Sequence, residues 1–175
     1  MAEVHIIGTL QSASGFPAPE LTCKWSIVAG DGWRLLEGDD SGQTQVDIPS
    51  DRKTTVWSHP IDVHYATKTI QGWPKLHFQV FRQDPTGRNE LYGYGFVHVP
   101  TSPGMHELEV QTWRPLGTMS EQIWSYFTGS STHLKNLHVV YTPTDRFRLS
   151  TATMGKIHLE IGIILRNFDT YGVAL

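Results

Sequence analysis

Ser58, His59 and Asp62 bring the three residue types of a hydrolytic triad within five positions of one another. Acyl transfer needs a hydroxyl, an imidazole and a carboxylate that converge on one point. Neighbours on an extended chain alternate in direction, so this spacing predicts divergence rather than a triad. Gly93-Tyr94-Gly95 begins like a dinucleotide loop. It lacks the third glycine and the following helix, and it sits in a strand-like run, so no phosphate cradle is expected. Cys23 is the single cysteine and is in phase with Leu21, Trp25 and Ile27. That phase predicts a small buried hydrophobe, not a reactive thiol. Nine histidines are present, none paired at zinc-motif spacing. Asp39-Asp40 lies in a glycine-rich loop, where a solvated turn is expected and a cation site is the alternative. These residues imply no catalytic constellation, no metal and no cofactor.

The elements that carry these residues have a period of two. In 156–166, Ile157, Leu159, Ile161, Ile163 and Leu165 share one face, and His158, Glu160, Gly162 and Arg166 the other, which predicts a long half-buried strand. Further strands are predicted over 3–10, 21–29, 44–48, 55–66, 75–83, 92–99, 106–112 and 138–141. Turn-forming clusters separate them at Gly30-Asp31-Gly32, Asp39 to Gly42, Asp84 to Gly87 and Pro100 to Gly104. Trp73-Pro74 suits a strand start with Trp73 capping the core. One short helix is predicted near 119–128, capped by Thr118 or Ser120 and ended by Gly129. The expected fold is all-β, an antiparallel sandwich of eight strands in one domain spanning 1–175.

Composition narrows the function. The chain has 175 residues, 18% of them charged, and a net charge of −3. Low charge argues against disorder, and the lack of a basic excess argues against nucleic acid as a partner. The longest apolar run, Ile161 to Leu165, falls far short of the ~20 residues of a membrane span. One cysteine, no glycosylation sequon and no apolar leader fit an intracellular soluble protein.

One hairpin stands out. If strands 75–83 and 92–99 are symmetric about Gly87, then Leu76, Phe78 and Val80 face Val99, Val97 and Gly95 as a core face. The other face carries His77, Gln79, Phe81, Tyr94, Phe96 and His98, which is aromatic and uncharged for an outward surface. These six are the candidate partner-binding residues. The alternatives are that the chain itself covers this face, that a bulge shifts the register, or that His77 and His98 bind a metal, for which a third ligand is lacking.

Six ordered words complete the picture: Gly42-Gln43-Thr44-Gln45-Val46-Asp47, Trp57-Ser58-His59-Pro60-Ile61-Asp62, Gln71-Gly72-Trp73-Pro74-Lys75-Leu76, Tyr92-Gly93-Tyr94-Gly95, Thr112-Trp113-Arg114-Pro115-Leu116-Gly117 and Leu165-Arg166-Asn167-Phe168-Asp169. Their order and spacing resemble the ciliary B9-domain family over nearly the whole chain. The resemblance implies a C2-like sandwich and a non-enzymatic scaffold of the ciliary transition zone and basal body. It implies B9 domain-containing protein 1 and the Meckel syndrome type 1 protein as partners. The setting it implies is a tectonic-like complex that gates protein passage into cilia and supports their assembly.

The C2 likeness also raises calcium and lipid. The third calcium loop of such sandwiches corresponds to Arg82, Asp84 and Glu90, counted back from Gly93. Calcium wants six to eight oxygens, and Arg82 puts a fixed positive charge where the first ligand belongs, so this loop is read as degenerate. Pairing of Arg82 with Asp84 is expected instead. Arg52, Lys53, Arg146 and Arg148 are scattered among acids, so weak calcium-independent membrane contact is the alternative function, not the leading one. Phe168 and Tyr171 are expected to plug the sandwich edge rather than anchor a partner.

Overall fold

The computed structural model describes residues 1–51, 53–116, 134, 137–142 and 149–169. Nine strands and one short helix form among them: β1 (Ala2–Ser14), β2 (Leu21–Val28), β3 (Trp33–Gly38), β4 (Ser41–Gln43), β5 (Thr54–Thr67), β6 (Lys75–Gln83), β7 (Asn89–His98), β8 (Gly104–Pro115), α1 (His138–Tyr141) and β9 (Thr151–Arg166). The strands hydrogen-bond in the order β3-β5-β1-β9-β8-β7-β6-β2-β4. Every neighbouring pair is antiparallel.

Alternation in the sequence decides which side of each strand is buried. Val4, Ile6 and Leu10 of β1, Ile61 and Val63 of β5, and Ile157, Leu159, Ile161 and Ile163 of β9 point to one apolar core. Leu21, Cys23 and Trp25 of β2 and Leu76, Phe78 and Val80 of β6 meet them there. The β3-β5-β1-β9-β8 and β7-β6-β2-β4 runs thus form two facing layers around one core, as a sandwich requires.

Between β7 and β8 the described ladder has one pair, Tyr94 opposite Trp113. The close approach is made by glycine. A Cβ on Gly95 would lie 3.0 Å from Val110 Cγ1, and one on Gly93 would lie 3.1 Å from Thr112 Cβ. The two glycines of the Tyr-Gly-Tyr-Gly word are therefore a packing device for crossing strands, while Tyr92 packs in the main core and Tyr94 in the outer cluster.

Aromatic residues close one end of the core. Trp73 donates from Nε1 to the Val99 carbonyl at 2.8 Å, and Trp33 donates to the Gln71 carbonyl at 2.9 Å. The two indoles meet edge to face at 5.1 Å, and Phe168 lies 6.0 Å from Trp73. Trp73 caps the core and Phe168 plugs it, as expected; Tyr171 lies outside the described residues.

Several expectations are corrected. The described residues form nine strands, not eight. Trp33–Gly38 is a strand that alternation could not reveal, because only Trp33 is buried in it. The segment expected as strand 44–48 holds only an isolated bridge from Asp47 to Leu21, and the ladder to β2 is made by 41–43. Residues 138–141 are helical, not extended, because Val140 packs sideways onto the outer face of β7. The helix expected near 119–128 lies outside the described residues.

The hairpin register also differs. Asp84 tightens the turn by accepting from the Thr86 N–H at 2.8 Å and the Arg88 N–H at 2.9 Å. A bulge follows between Val80 and Phe81, so Leu76, Phe78 and Val80 oppose Val97, Gly95 and Gly93. Up to Val80 the slip from the expected pairing is two residues, which leaves those side chains on their expected faces; past the bulge Leu91 opposes Phe81 and Tyr92 packs in the main core.

Replacing Gly95 with Leu should destabilise the fold by about 1–3 kcal/mol through overpacking against β8. Phe168→Ala should lose about 3–5 kcal/mol by emptying the plug. Urea unfolding measures both, and changes within about 0.5 kcal/mol, as at ordinary surface positions, would contradict these roles.

Candidate functional site

The outward face of the β6–β7 hairpin is built by strand parity. Directly opposed pairs place His77 by Phe96 and Gln79 by Tyr94, with Lys75 by His98 at the end. Past the bulge, Phe81 faces Leu91. Part of this face forms a second small core. Leu91, Tyr94 and Val140 are buried together, with Phe81, Phe96, Trp113, Leu134 and Tyr141 packed against them. The Tyr94 hydroxyl accepts from the Leu134 N–H at 3.1 Å, and Lys75 Nζ donates to the Tyr141 carbonyl at 3.4 Å.

This cover divides the six candidates. His77 and Tyr94 are only 2% and 1% exposed, so the chain itself occupies them. Their rings stack at 6.4 Å, and Tyr141 meets His77 edge-on at 5.9 Å. Gln79, Phe81 and Phe96 remain half-buried, and His98 is exposed. Lys24 lies 5.5 Å above the Phe81 ring, so the open part is aromatic with a basic fringe. His77 and His98 are not cross-strand partners, since His98 pairs with Lys75. Among the described residues, no group of three or more metal-ligating side chains forms. Nothing in the sequence pattern marked Leu134, Val140 and Tyr141 as the cover; 138–141 read as a strand.

His77 Nε2 has no hydrogen-bond partner among the described residues. Burial lowers the His77 pKa to about 4, because a charged imidazole would be desolvated there. Burial also lowers the pKa of His59.

The residues read as a degenerate calcium loop are engaged in structural contacts. Asp84 Oδ1 accepts from Thr86 Oγ1 at 2.6 Å as well as from the two turn amides, and these bonds hold its carboxyl below the ordinary range. Arg82 does not pair with Asp84 as expected. Its Nε lies 3.6 Å from Glu20 Oε2, and Glu90 stands opposite it in the ladder. The Tyr92 phenol, then Glu20 and Glu90, raise the Arg82 pKa further.

The triad residue types do not assemble. Asp62 Oδ1 pairs with His5 Nε2 at 3.0 Å, not with His59. His59 leans on Trp25 at 6.0 Å. Ser58 is exposed, in a left-handed bulge with φ of 46°. His5, His59, Asp62, Glu37 and Asp39 do line an open cleft of about 840 Å³, but Ser58 is absent from its walls. Cys23 is fully buried, and desolvation pushes its thiol far above the reactive range.

Two antiparallel layers around one core define a C2-like β-sandwich. The sequence matches the profile of the family described as "B9-C2: Ciliary basal body-associated, B9 protein" over residues 4–164, and the chain belongs to this B9 family. It is 57% identical over 173 residues to B9 domain-containing protein 2 of Xenopus laevis, covering 99% of this chain and 98% of that one. Its identity to B9 domain-containing protein 1 of Mus musculus is 29% over 170 residues, covering 95% and 83%. The C2A domain of plant extended synaptotagmin 1 superposes with a TM-score of 0.45 and 14% identity, over 94% of this chain and 93% of that one.

The pKa direction sets a pH dependence. The unfolded chain binds a proton at His77 near its ordinary 6.5, and the folded chain only near 4. Stability should therefore fall as pH drops through that window and be unaffected by this group above it. In His77→Phe the slope should flatten by up to about 1.4 kcal/mol per pH unit, read from urea midpoints between these limits. An unchanged slope would contradict the buried neutral imidazole. Millimolar calcium should leave Tm unmoved, since Asp84 is tied into its turn; a calcium-dependent rise would show that the loop still holds the ion.

Proposed function

We propose that this chain is a non-enzymatic scaffold component of the ciliary transition zone and basal body. In this reading it binds other B9-domain proteins, namely B9 domain-containing protein 1 and the Meckel syndrome type 1 protein. The assembly is a Meckel-syndrome/tectonic-like complex that gates protein passage into cilia and supports cilium formation. Family membership supports the setting. The observation that carries the binding role is the edge of the hairpin face, where Phe81 and Phe96 are half-buried beside Lys24 and exposed His98. Aromatic residues with a basic fringe are the usual anchors of protein interfaces.

The non-enzymatic part rests on where the reactive residue types sit. Cys23 is sealed in the core, Asp62 is paired with His5, and Ser58 stands apart from both imidazoles of the cleft. No observation on the described surface favours the membrane-binding alternative over this one.

Size-exclusion chromatography with light scattering tests the reading. Mixed with B9 domain-containing protein 1, the chain should co-elute at a one-to-one mass and should persist at high salt with chelator present. Phe81→Glu and Phe96→Glu should each weaken the complex by at least about tenfold, as truncating an interface anchor does. Separate elution of the wild-type chain from both B9 partners, under gentle conditions as well, would overturn pairing within the family.

A further inference from the structure

The opposite layer carries a second surface that the hairpin reading does not use. On the outer side of β1, β9 and β8, Ile7 faces Gly162 and Gly162 faces Met105, in one row across three strands. Ile164 stands two residues further along β9. Ile7, Ile164 and Met105 are 41%, 56% and 65% exposed and line one apolar patch together. Between them lies a groove of about 440 Å³. Gly162 makes it, because a Cβ there would stand 2.8 Å from Met105 Sδ.

Charge on this face is unevenly answered. Glu3 has His64 at 3.5 Å and Arg166 at 3.6 Å, and Glu109 has Lys156 at 2.8 Å and His158 at 3.7 Å. Asp62 has His5. The two carboxylates beside the groove differ. Glu107 and Glu160 stand directly opposite each other across β8 and β9. Glu160 accepts one bond from Gln11 Nε2 at 3.0 Å, and among the described residues neither forms an ion pair. Like charges directly opposed in a ladder are destabilising, so this pair lacks only a cation.

We propose that this groove docks a partner protein through a segment that inserts one apolar side chain over Gly162 and sets lysine or arginine against Glu107 and Glu160. The apolar walls supply burial, and the unanswered carboxylates supply the charge preference. A second copy related by a twofold axis would bring like acids together across the contact. An anionic membrane would be repelled by the same two groups.

Selection of random twelve-residue peptides displayed on phage against the full chain tests this, with the Met105→Glu chain as counter-target. Met105 is exposed, so this variant should keep its Tm. Enriched peptides should carry Leu, Ile, Met or Phe flanked by Lys or Arg. In fluorescence polarisation they should lose about tenfold or more in affinity to Met105→Glu and to the Glu107→Gln, Glu160→Gln double variant. Their binding should be unaffected by Phe96→Glu. Overturning results are no enrichment, enrichment of acidic or uncharged peptides, or equal binding to the wild-type and Met105→Glu chains. A Met105-dependent dimer, or Met105-dependent binding to phosphatidylserine vesicles, would reassign the face and overturn the proposal too. Because the peptides are random, this outcome is independent of whether B9 domain-containing protein 1 co-elutes.

Discussion

Where β7 crosses β8, bare backbone meets the side chains of Val110 and Thr112. Tyr94 opposite Trp113 is the single pair described in that ladder, so the two layers are hinged there rather than zipped. Everything inside the sandwich depends on this closeness. If β7 stood off by a side chain, the two layers would part around the core they share. Overpacked interiors do not simply expand, because packing near crystal density leaves no slack. The same two glycines put Tyr94 and Phe96 on the outside, and so the crossing also creates the hairpin face.

Polar residues of the segment after β4 serve the backbone. Thr44 Oγ1 accepts from the Cys23 N–H at 2.9 Å, and the Asp47 carboxylate accepts from the Val56 N–H at 2.8 Å. Gln45 Nε2 donates to the Trp57 carbonyl at 2.8 Å. These residues belong to one of the words that suggested the family, and they strap β2 to β5 where no ladder runs. The calcium-loop position has gone the same way, with Asp84 committed to its turn. Backbone N–H groups left outside the ladders need acceptors, and here that requirement accounts for carboxylates that elsewhere do chemistry.

How much of this was legible follows from what sets each element. Two-residue periodicity marked β9, β6 and β1 because their inner faces are continuous and their outer faces polar. It missed β3, whose short run has one buried residue, and it misread 138–141, where the partner surface and not propensity decides the conformation. The register of the hairpin was hidden in Asp84, whose hydrogen bonds recentre the turn, yet the faces survived because the slip was even. For the hairpin, sequence parity put His77, Gln79, Phe81, Tyr94, Phe96 and His98 on one side of the sheet, as the observed pairing does. It could not tell that Tyr141 and Val140 return to cover His77 and Tyr94, since that contact spans more than forty residues. Ile164 was a visible signal for the second face, as an apolar residue on the polar side of β9.

The central claim is that the half-buried aromatic edge of the hairpin face is where a homologous domain binds. Hydroxyl-radical footprinting reads side chains directly and can be run on the chain alone and in the presence of B9 domain-containing protein 1. The account predicts that oxidation of Phe81 and Phe96 slows markedly in the complex, while buried Tyr94 stays protected in both states. Undiminished oxidation of Phe81 and Phe96 in a complex of confirmed mass would contradict it.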